Sequence, residues 1–409
     1  MTDYCNTPSL PSLEQALEQI LDDLPKPNGY QRLGLKKALQ HIVYQDIHAA
    51  IDLPSFRNSA MDGYAFQHHS DQGPALIVIG CSWAGKPYRG EVKAGECIRV
   101  FTGAYVPDSC DCVVMQENTR RTNESIRLTH WPQRFENIRS IGSDVQQGQR
   151  IFARGHRLKA ADIGLLAACG IADIAVFNPI TVGFFSTGDE LISIGSQPEL
   201  GQIFDSNRYT IHALLEEAGV KPLDMGVIAD TPEAVEAALL SAAKHCDLII
   251  TSGGVSVGEA DFMSDVLAKI GQIKLWKMAI KPGKPLLFAS INNSVFFGLP
   301  GNPVSVMVTF QQIVLPALHK MMGLTTDQPA LTLPAIAAED IDKQPGRMEF
   351  QRGVARKTND ELSVSLTGGQ ASHMLSSMSQ ANCLIILPRE NTGVKKGQSV
   401  NIQLLDKHL

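Results

Sequence analysis

Residues 247–256 read Asp247-Leu248-Ile249-Ile250-Thr251-Ser252-Gly253-Gly254-Val255-Ser256. A short, fully apolar run that ends in a Gly-Gly turn is the pattern of a strand buried on both faces. Such strands belong to parallel sheets covered by helices. The flanking sequence repeats the alternation. Strands are expected at 180–185, 223–229, 247–251, 273–280 and 295–298. Helices are expected at 209–218, at 232–244 with Thr231 as its cap, at 260–270 and at about 303–322. That order gives a mainly parallel sheet with helices on both faces, a three-layer α/β domain over 179–327.

Toward the N-terminus the texture changes. Leu13, Ala16, Leu17, Ile20, Leu21 and Leu24 follow helical spacing, Ser12 and Gln15 suit a capping box, and Pro25 and Pro27 end the run. A second apolar helix is expected at about 30–44, and another within 151–178 around Ile163, Leu165, Leu166 and Ala167. Between them, β-rich runs at 75–80, 97–101, 112–116 and 125–128 alternate with Gly- and Pro-bearing turns. The reading is a β domain, 46–150, inserted between the two parts of a helical domain, 12–45 and 151–178. After 328 the chain is β again with no helix, and 371–379 reads as a Ser-rich loop. A small C-terminal β-barrel or sandwich over 328–409 completes a multidomain α/β and β chain.

Composition narrows the function. A chain of 409 residues exceeds one ordinary core. With 44% hydrophobic and 19% charged residues it is globular, and its formal net charge of -6 gives no nucleic-acid footprint. No apolar stretch approaches membrane-spanning length, and MTDYCNTPSL does not look like a signal peptide, so the expectation is a cytoplasmic protein. The eight cysteines are scattered, and the close pair Cys110 and Cys112 has neither zinc-ligand nor redox-motif spacing.

In an open α/β sheet, ligands bind beyond the carboxyl ends of the strands. Three polar motifs fall there: Ser186-Thr187-Gly188-Asp189-Glu190, Asp230, and Ser252-Gly253-Gly254-Val255-Ser256. The last can bring backbone N–H groups close to an anion, and a helix starting after Gly258 would add its positive end; a plain tight turn has the same sequence. Lys277, Lys281 and Lys284 form a basic cluster in a Pro-Gly segment, with Lys277 and Lys281 expected on one face of a strand. Held on a stiff loop, such donors suit a polyanion; lysines guarding an edge strand are the other reading. Asn302 and Pro303 suit the start of a helix whose exposed end also lines the pocket. Glu190, Asp230 and Asp261 suit Mg²⁺ with phosphate oxygens, although each alone also serves as a cap or solvated loop acid. The histidines form no HExxH, and no P-loop or GxSxG elbow is present. The stretch 57–65 has no role by physics alone.

Together these motifs resemble the molybdopterin molybdenumtransferase family, which includes the C-terminal domain of gephyrin. The matching segments are NSAMDGYA (58–65), FTGA (101–104), VVMQE (113–117), STGDEL (186–191), DSN (205–207), TSGGVSVGEADF (251–262), KPGKP (281–285), GLPGNP (298–303) and SSMSQANCLIILP (376–388). The resemblance implies an elongated homodimer of four-domain chains, with the α/β domain molybdopterin-binding-like. The cleft would lie between the α/β domain of one subunit and the inserted domain of its partner, reached by Asp62, Thr102 and Asp144. The implied substrates are adenylyl-molybdopterin and molybdate, with Mg²⁺ as cofactor and AMP released. Ser252, Gly253, Gly254, Ser256 and Asn302 would hold pterin and phosphate. Lys281, Lys284, Arg352 and Ser377 would bind molybdate, and Lys277 would neutralise phosphates. Glu190, Asp230 and Asp261 would place the metal. Other cofactor-biosynthesis proteins are expected partners; nucleic acid and membrane are not. Arg57 stands where relatives often carry an acid, and Ala371 where a Gly is common before Ser372. A molybdopterin adenylyltransferase or a non-catalytic molybdopterin-binding scaffold are the alternatives. The segments on either side of the α/β domain argue against the first, and the motif set at the sheet edge against the second.

Overall fold

A computed structural model of the chain describes residues 10–27, 29–69, 73, 75–254, 262–325, 331–358 and 361–405. Contacts group the chain into two compact units, Gln31–Val176 on one side and Met1–Tyr30 with Phe177–Leu409 on the other. Helix α1 (Leu13–Asp22) opens on the expected capping box: Gln15 N donates to Ser12 Oγ at 3.2 Å and Ser12 N to Gln15 Oε1 at 3.0 Å.

The expected helix at 30–44 does not form. Tyr30–Gly34 is a strand paired with Asp173–Phe177, and Leu35–Lys37 is a single 3₁₀ turn. Leu33, Leu35, Ala38 and Val43 do reach a common core with Leu166, Ile174 and Val176, but from largely non-helical backbone. Pairing with a segment far away in sequence outweighs a local helical period. For the same reason 151–178 is only partly helical: α2 (Ala160–Ala168) is followed by the strand Asp173–Phe177.

The same unit holds a six-stranded sheet. Its strands are β1 (Gly63–Phe66), β2 (Ala75–Ser82), β3 (Glu96–Val100), β4 (Cys112–Met115), β5 (Thr119–Arg121) and β6 (Ser125–Leu128), in the order β4-β1-β3-β2-β6-β5. Alternation sends Tyr64, Phe66, Cys97 and Val114 to one face and Ala65, Ile98, Val100 and Val113 to the other, and each face has its own core. Burial pushes the Cys97 and Cys110 thiols up to about 12, so they behave as packing groups.

The other unit contains the α/β sheet. Its elements are β7 (Thr181–Thr187), α3 (Ser206–Ala218), β8 (Lys221–Ile228), α4 (Pro232–Ala242), β9 (Leu248–Ser252), α5 (Met263–Ile270), β10 (Gln272–Trp276), β11 (Ile280–Lys281), β12 (Leu287–Ile291), β13 (Ser294–Leu299), α6 (Pro303–Thr309) and α7 (Leu315–Met321). The strand order is β8-β7-β9-β13-β12-β10, with β11 outside this sheet. The first four strands are parallel; β12 runs against them, and the edge strand β10, antiparallel to β12, returns to their direction. Strand β12 was not expected; it forms a hairpin with β13 through Asn292, whose φ of 52° suits an Asn turn. The expected helix over 303–322 is continuous but carries a π turn at Phe310–Val314. Pro316 follows that turn and has no N–H for the regular ladder, so a local widening is the natural accommodation. Helix α1 packs on α7.

The expected strand over 273–280 ends at Trp276. Lys277 has φ 92°, an uncommon backbone for a residue with a side chain, and there the chain leaves the α/β sheet. Strand β11 pairs instead with β15 (Met348–Thr358), Lys281 opposite Glu349. Lys277 and Lys281 therefore do not share a strand face. The C-terminal sheet adds β14 (Thr332–Ala337), β16 (Glu361–Leu366), β17 (Cys383–Leu387) and β18 (Ser399–Leu404), and β15-β16-β14-β18-β17 closes on itself into a five-stranded barrel. Part of the expected loop at 371–379 is the helical turn α8 (Leu375–Ser379). Among the described residues, no helix is long and apolar enough to cross a membrane.

Gly63 explains one motif that sequence physics left without a role. A Cβ there would lie 1.9 Å from the Val114 carbonyl oxygen, so β1 and β4 can approach only at a glycine. Gly63→Ala is expected to lower stability by about 1–3 kcal/mol through forced strand separation. Urea unfolding should show a lower midpoint at unchanged slope.

Candidate functional site

The carboxyl ends of β7, β9 and β13 lie side by side. Ser186 is in register with Ser252, and Ser252 with Leu299. Register alone therefore brings STGDEL, TSGG and GLPGNP to one edge of the sheet. Gly253 N donates to Leu299 O at 3.2 Å, closing the turn against the neighbouring strand. Gly253 and Gly254 have φ of 90° and 65°. A Cβ on Gly253 would meet Thr187 O at 2.7 Å, so both conformation and space demand glycine.

Behind this edge runs a buried polar chain. Ser252 Oγ and Ser186 Oγ are 3.1 Å apart, and Ser186 Oγ donates to Asp205 Oδ1 at 3.2 Å. Asp205 caps α3, accepting from Arg208 N at 3.1 Å and Arg208 Nε at 3.3 Å. Arg208 also pairs with Asp224 at 2.9 Å. The next residue, Asn207, donates from Nδ2 to Gly301 O at 2.7 Å and so ties α3 to the start of α6. Asp205, Asn207 and Arg208 were not singled out one by one from the sequence; the alternation of strand end and helix start around DSN is the signal that finds them. Three buried polar atoms at this edge, Thr187 Oγ1, Asn207 Oδ1 and Thr251 Oγ1, have no hydrogen-bond partner among the described residues. Buried polar atoms are normally satisfied, so a cluster of unmet ones at one strand edge is unusual.

Asn302 occupies the cap position of α6, with Pro303 at its first turn, but the Asn302 side chain makes no capping bond. The KPGKP loop packs on the same helix. Gly283, at φ 106°, sits where a Cβ would meet Thr309 Oγ1 at 2.5 Å. Lys281 Nζ lies 3.0 Å from Glu349 Oε1, a buried carboxylate. The amides of Lys277 and Met278 fold back to Leu286 O at 3.0 Å and Lys284 O at 3.1 Å.

Arg352 and Ser377 meet at 3.1 Å. The Arg352 guanidinium, 1% exposed, also donates to the carbonyls of Gly369, Gln370 and Ala371, each at 3.0 Å. Burial lowers its pKa against the pull of Glu349. The segment it grips runs on to Ser372, whose carbonyl accepts from Val304 N at 3.2 Å in the first turn of α6. Ser372 thus stands beside GLPGNP, a placement the Ser-rich sequence did not single out.

The acids divide. Burial, then Asp189 and Glu190, raise the Asp230 pKa, so these carboxylates feel one another. Asp261 and Ser256 lie outside the described residues. Among the described residues, no three His, Cys, Asp or Glu side chains form a group that could hold a metal ion.

In the Gln31–Val176 unit, Asp62 and Thr102 are brought together. Thr102 N and Oγ1 donate to Asp62 Oδ1 at 2.8 and 2.9 Å. Asp144 stands on a different turn, where its N–H donates to Leu53 O at 2.9 Å. Arg57 bonds Cys110 O at 2.7 Å and reaches Asp108 at 3.4 Å, which accommodates its charge.

A five-stranded barrel, a mostly parallel α/β sheet with a glycine-lined edge and a second β unit make this a multidomain α/β and β protein. Residues 11–170 match the MoeA N-terminal region (domain I and II), 183–320 a probable molybdopterin binding domain, and 334–405 the MoeA C-terminal region (domain IV). The molybdopterin molybdenumtransferase of Haemophilus influenzae is 41% identical over 395 residues, 96% of this chain and 98% of the relative. Gephyrin of Dictyostelium discoideum is 33% identical over 96% of this chain and 62% of its own length. The crystal structure of the molybdopterin biosynthesis moeA protein from Pyrococcus horikoshii superimposes with a TM-score of 0.84 at 29% identity, covering 97% of this chain and 100% of that one. The chain belongs to the molybdopterin molybdenumtransferase family.

The backbone N–H of Thr102 and then its hydroxyl hold the Asp62 pKa below the ordinary carboxylate value; desolvation opposes them, and Arg99 adds the smallest pull downward. A depressed folded pKa gives a contribution present above the unfolded value of about 3.9 and lost as pH falls through the folded one. Thr102→Val removes the hydroxyl bond and keeps the amide bond, so the Asp62 titration should move upward but not all the way. Carboxyl carbon NMR titration reads this directly; an unmoved pKa sinks the assignment.

Proposed function

We propose that this protein is a molybdopterin molybdenumtransferase that inserts molybdate-derived molybdenum into adenylyl-molybdopterin and releases AMP. The observation that carries the reading is the glycine-lined edge where β7, β9 and β13 end, with Thr187 Oγ1 and Asn207 Oδ1 buried beside it and without a hydrogen-bond partner among the described residues. Family membership along the whole chain supports transfer over adenylylation, because the matching segments extend to both sides of the α/β domain.

In this reading every reactant is an anion, so the protein must overcome repulsion and fix orientation. Ser252, Gly253, Gly254, Ser256 and Asn302 hold the pterin and phosphates. Lys281, Lys284, Arg352 and Ser377 form the molybdate subsite, Arg352 acting largely through the segment 369–372 that it grips. Lys277 offsets phosphate charge. Glu190 and Asp230, with Asp261, would hold Mg²⁺; burial, then the Asp189 and Glu190 carboxylates, push the Asp230 pKa up, and a cation there would oppose that shift. Mg²⁺ would act as a Lewis acid on the phosphoanhydride. Water would add to the phosphoanhydride so that AMP leaves, and the two dithiolene sulfurs would bond molybdenum as one molybdate oxygen departs as water with the two thiol protons. A second copy of the chain would supply Asp62, Thr102 and Asp144 to the cleft, in a cytoplasmic homodimer.

Molybdate-dependent AMP release by the purified protein is the direct test. Lys281→Ala should cut it by roughly 100-fold, the order expected when one charged stabilising group is lost. Asp261→Ala should lower it independently and shift the Mg²⁺ requirement upward. Normal release by both variants rules the site out, and ATP-dependent adenylylation in place of release overturns the reaction.

A further inference from the structure

The β sheet of the Gln31–Val176 unit has a concave pocket of about 790 Å³, lined by Tyr64, Trp83, Arg99, Phe101, Gln116 and Arg121 among others. That volume is in the range of small-molecule sites. The pocket continues the face on which Tyr64, Phe66 and Cys97 form a core, and a bulge between Val78 and Gly80 breaks the β2–β3 register at its floor.

Its chemistry is specific. Trp83 and Phe101 stack with ring centroids 4.2 Å apart and planes 16° from parallel. The Arg99 guanidinium lies 4.9 Å from the Tyr64 ring centroid and 5.1 Å from that of Phe101. The result is one continuous run of flat groups: Tyr64, Arg99, Phe101, Trp83. Phe101 covers one side of Trp83, yet Trp83 remains 51% exposed where it lines the pocket. Arg121 brings a second guanidinium to the rim, and Arg99 and Arg121 both act electrostatically on the half-buried Cys81 thiol.

The pocket is built in advance. Trp83 sits on a tight turn closed by paired backbone bonds to Lys86, each 3.0 Å. Ser82 Oγ accepts from Tyr88 N at 3.2 Å and donates to Tyr105 O at 2.8 Å. The Tyr88 ring fills the space that a Cβ on Gly80 or Gly90 would need. This wall is also joined to the Asp62–Thr102 pair: Phe101 precedes Thr102, and Gln116 N donates to Asp62 O at 3.0 Å.

We propose that this pocket binds a flat nitrogen-heteroaromatic ring carrying a phosphate, with the ring stacked on Trp83 and the phosphate turned to Arg121. A stack that ends in a half-exposed indole is an unfinished one, and a π surface beside guanidinium groups is how proteins hold bases and their phosphates. Both ends of adenylyl-molybdopterin fit the description, one a purine nucleotide and the other a pterin phosphate. The choice of these two rests on the function proposed above; the pocket's chemistry does not.

Calorimetric titration of the full-length protein with adenosine 5′-monophosphate, neopterin monophosphate and inorganic phosphate tests this, with tryptophan fluorescence alongside. At least one heteroaromatic phosphate should bind saturably and quench Trp83, while phosphate alone should not. Trp83→Ala should weaken that binding about tenfold or more, Trp83→Phe should keep most of it without the quench, and Arg121→Ala should weaken it severalfold. Arg121 is exposed, so its variant should unfold at the wild-type midpoint. Preference for the nucleotide or the pterin supports the proposal and names the end that docks. Absence of binding by either compound, or equal binding by Trp83→Ala and Arg121→Ala, overturns it. If molybdate-dependent AMP release persists while these variants bind like wild type, the pocket alone is refuted. If release is absent while Trp83-dependent binding remains, only the proposed function falls.

Discussion

Asp205 carries a carboxylate into the interior, where it is 2% exposed and accepts from Ser186 Oγ, Arg208 N and Arg208 Nε. Burying a charge this deeply is tolerable only when its lone pairs are met by donors. The donors it recruits come from a strand end and a helix start. Through Ser186 the network continues to Ser252 on the next strand, and through the adjoining Asn207 it reaches the carbonyl of Gly301. One carboxylate therefore sets the relative positions of β7, β9, α3 and the turn into α6. Remove its partners and the three motifs at the sheet edge lose their common frame.

What that frame presents is mostly backbone. Glycines at 253 and 254 turn in the left-handed region and leave no side chain between the main chain and a ligand. The polar atoms left over, Thr187 Oγ1, Asn207 Oδ1 and Thr251 Oγ1, are buried and have no partner among the described residues. An unmet acceptor costs about 1–3 kcal/mol, which a bound donor can recover. This is the economy of a binding edge: stability is withheld locally so that ligand binding can supply it.

The α/β domain was readable because its signals are local. Apolar runs such as 248–252 and caps such as Thr231 need no distant partner to be recognised, and the structure places them where periodicity does. The misreadings share the opposite property. Residues 30–44 have helix-compatible spacing, but 30–34 pair with 173–177, and 273–280 reads as one strand until Lys277 turns and Lys281 joins the barrel. Side-chain roles were legible only as residue types. That Arg352 would sit buried with four acceptors already in place depends on how β15 closes the barrel, which no spacing rule conveys.

In the proposed site, the placement of each cation would decide which of them can meet an anionic substrate. A guanidinium has five N–H donors, and Arg352 has four bonds to Ser377 and three carbonyls, so little of its hydrogen-bonding capacity remains. An ammonium has three donors on a rotating head. Lys281, with its side chain 48% exposed, is held by a single buried carboxylate, Glu349, at 3.0 Å. Its remaining donors can turn to an arriving oxyanion without breaking that pair. The buried glutamate fixes where the ammonium stands and cannot itself move toward the anion. A tetrahedral oxyanion needs point charges from several directions more than one planar fork. In the proposed site, a lysine pinned from behind, on a strand that links the α/β sheet to the barrel, would supply that, while the arginine would keep the segment 369–371 in place.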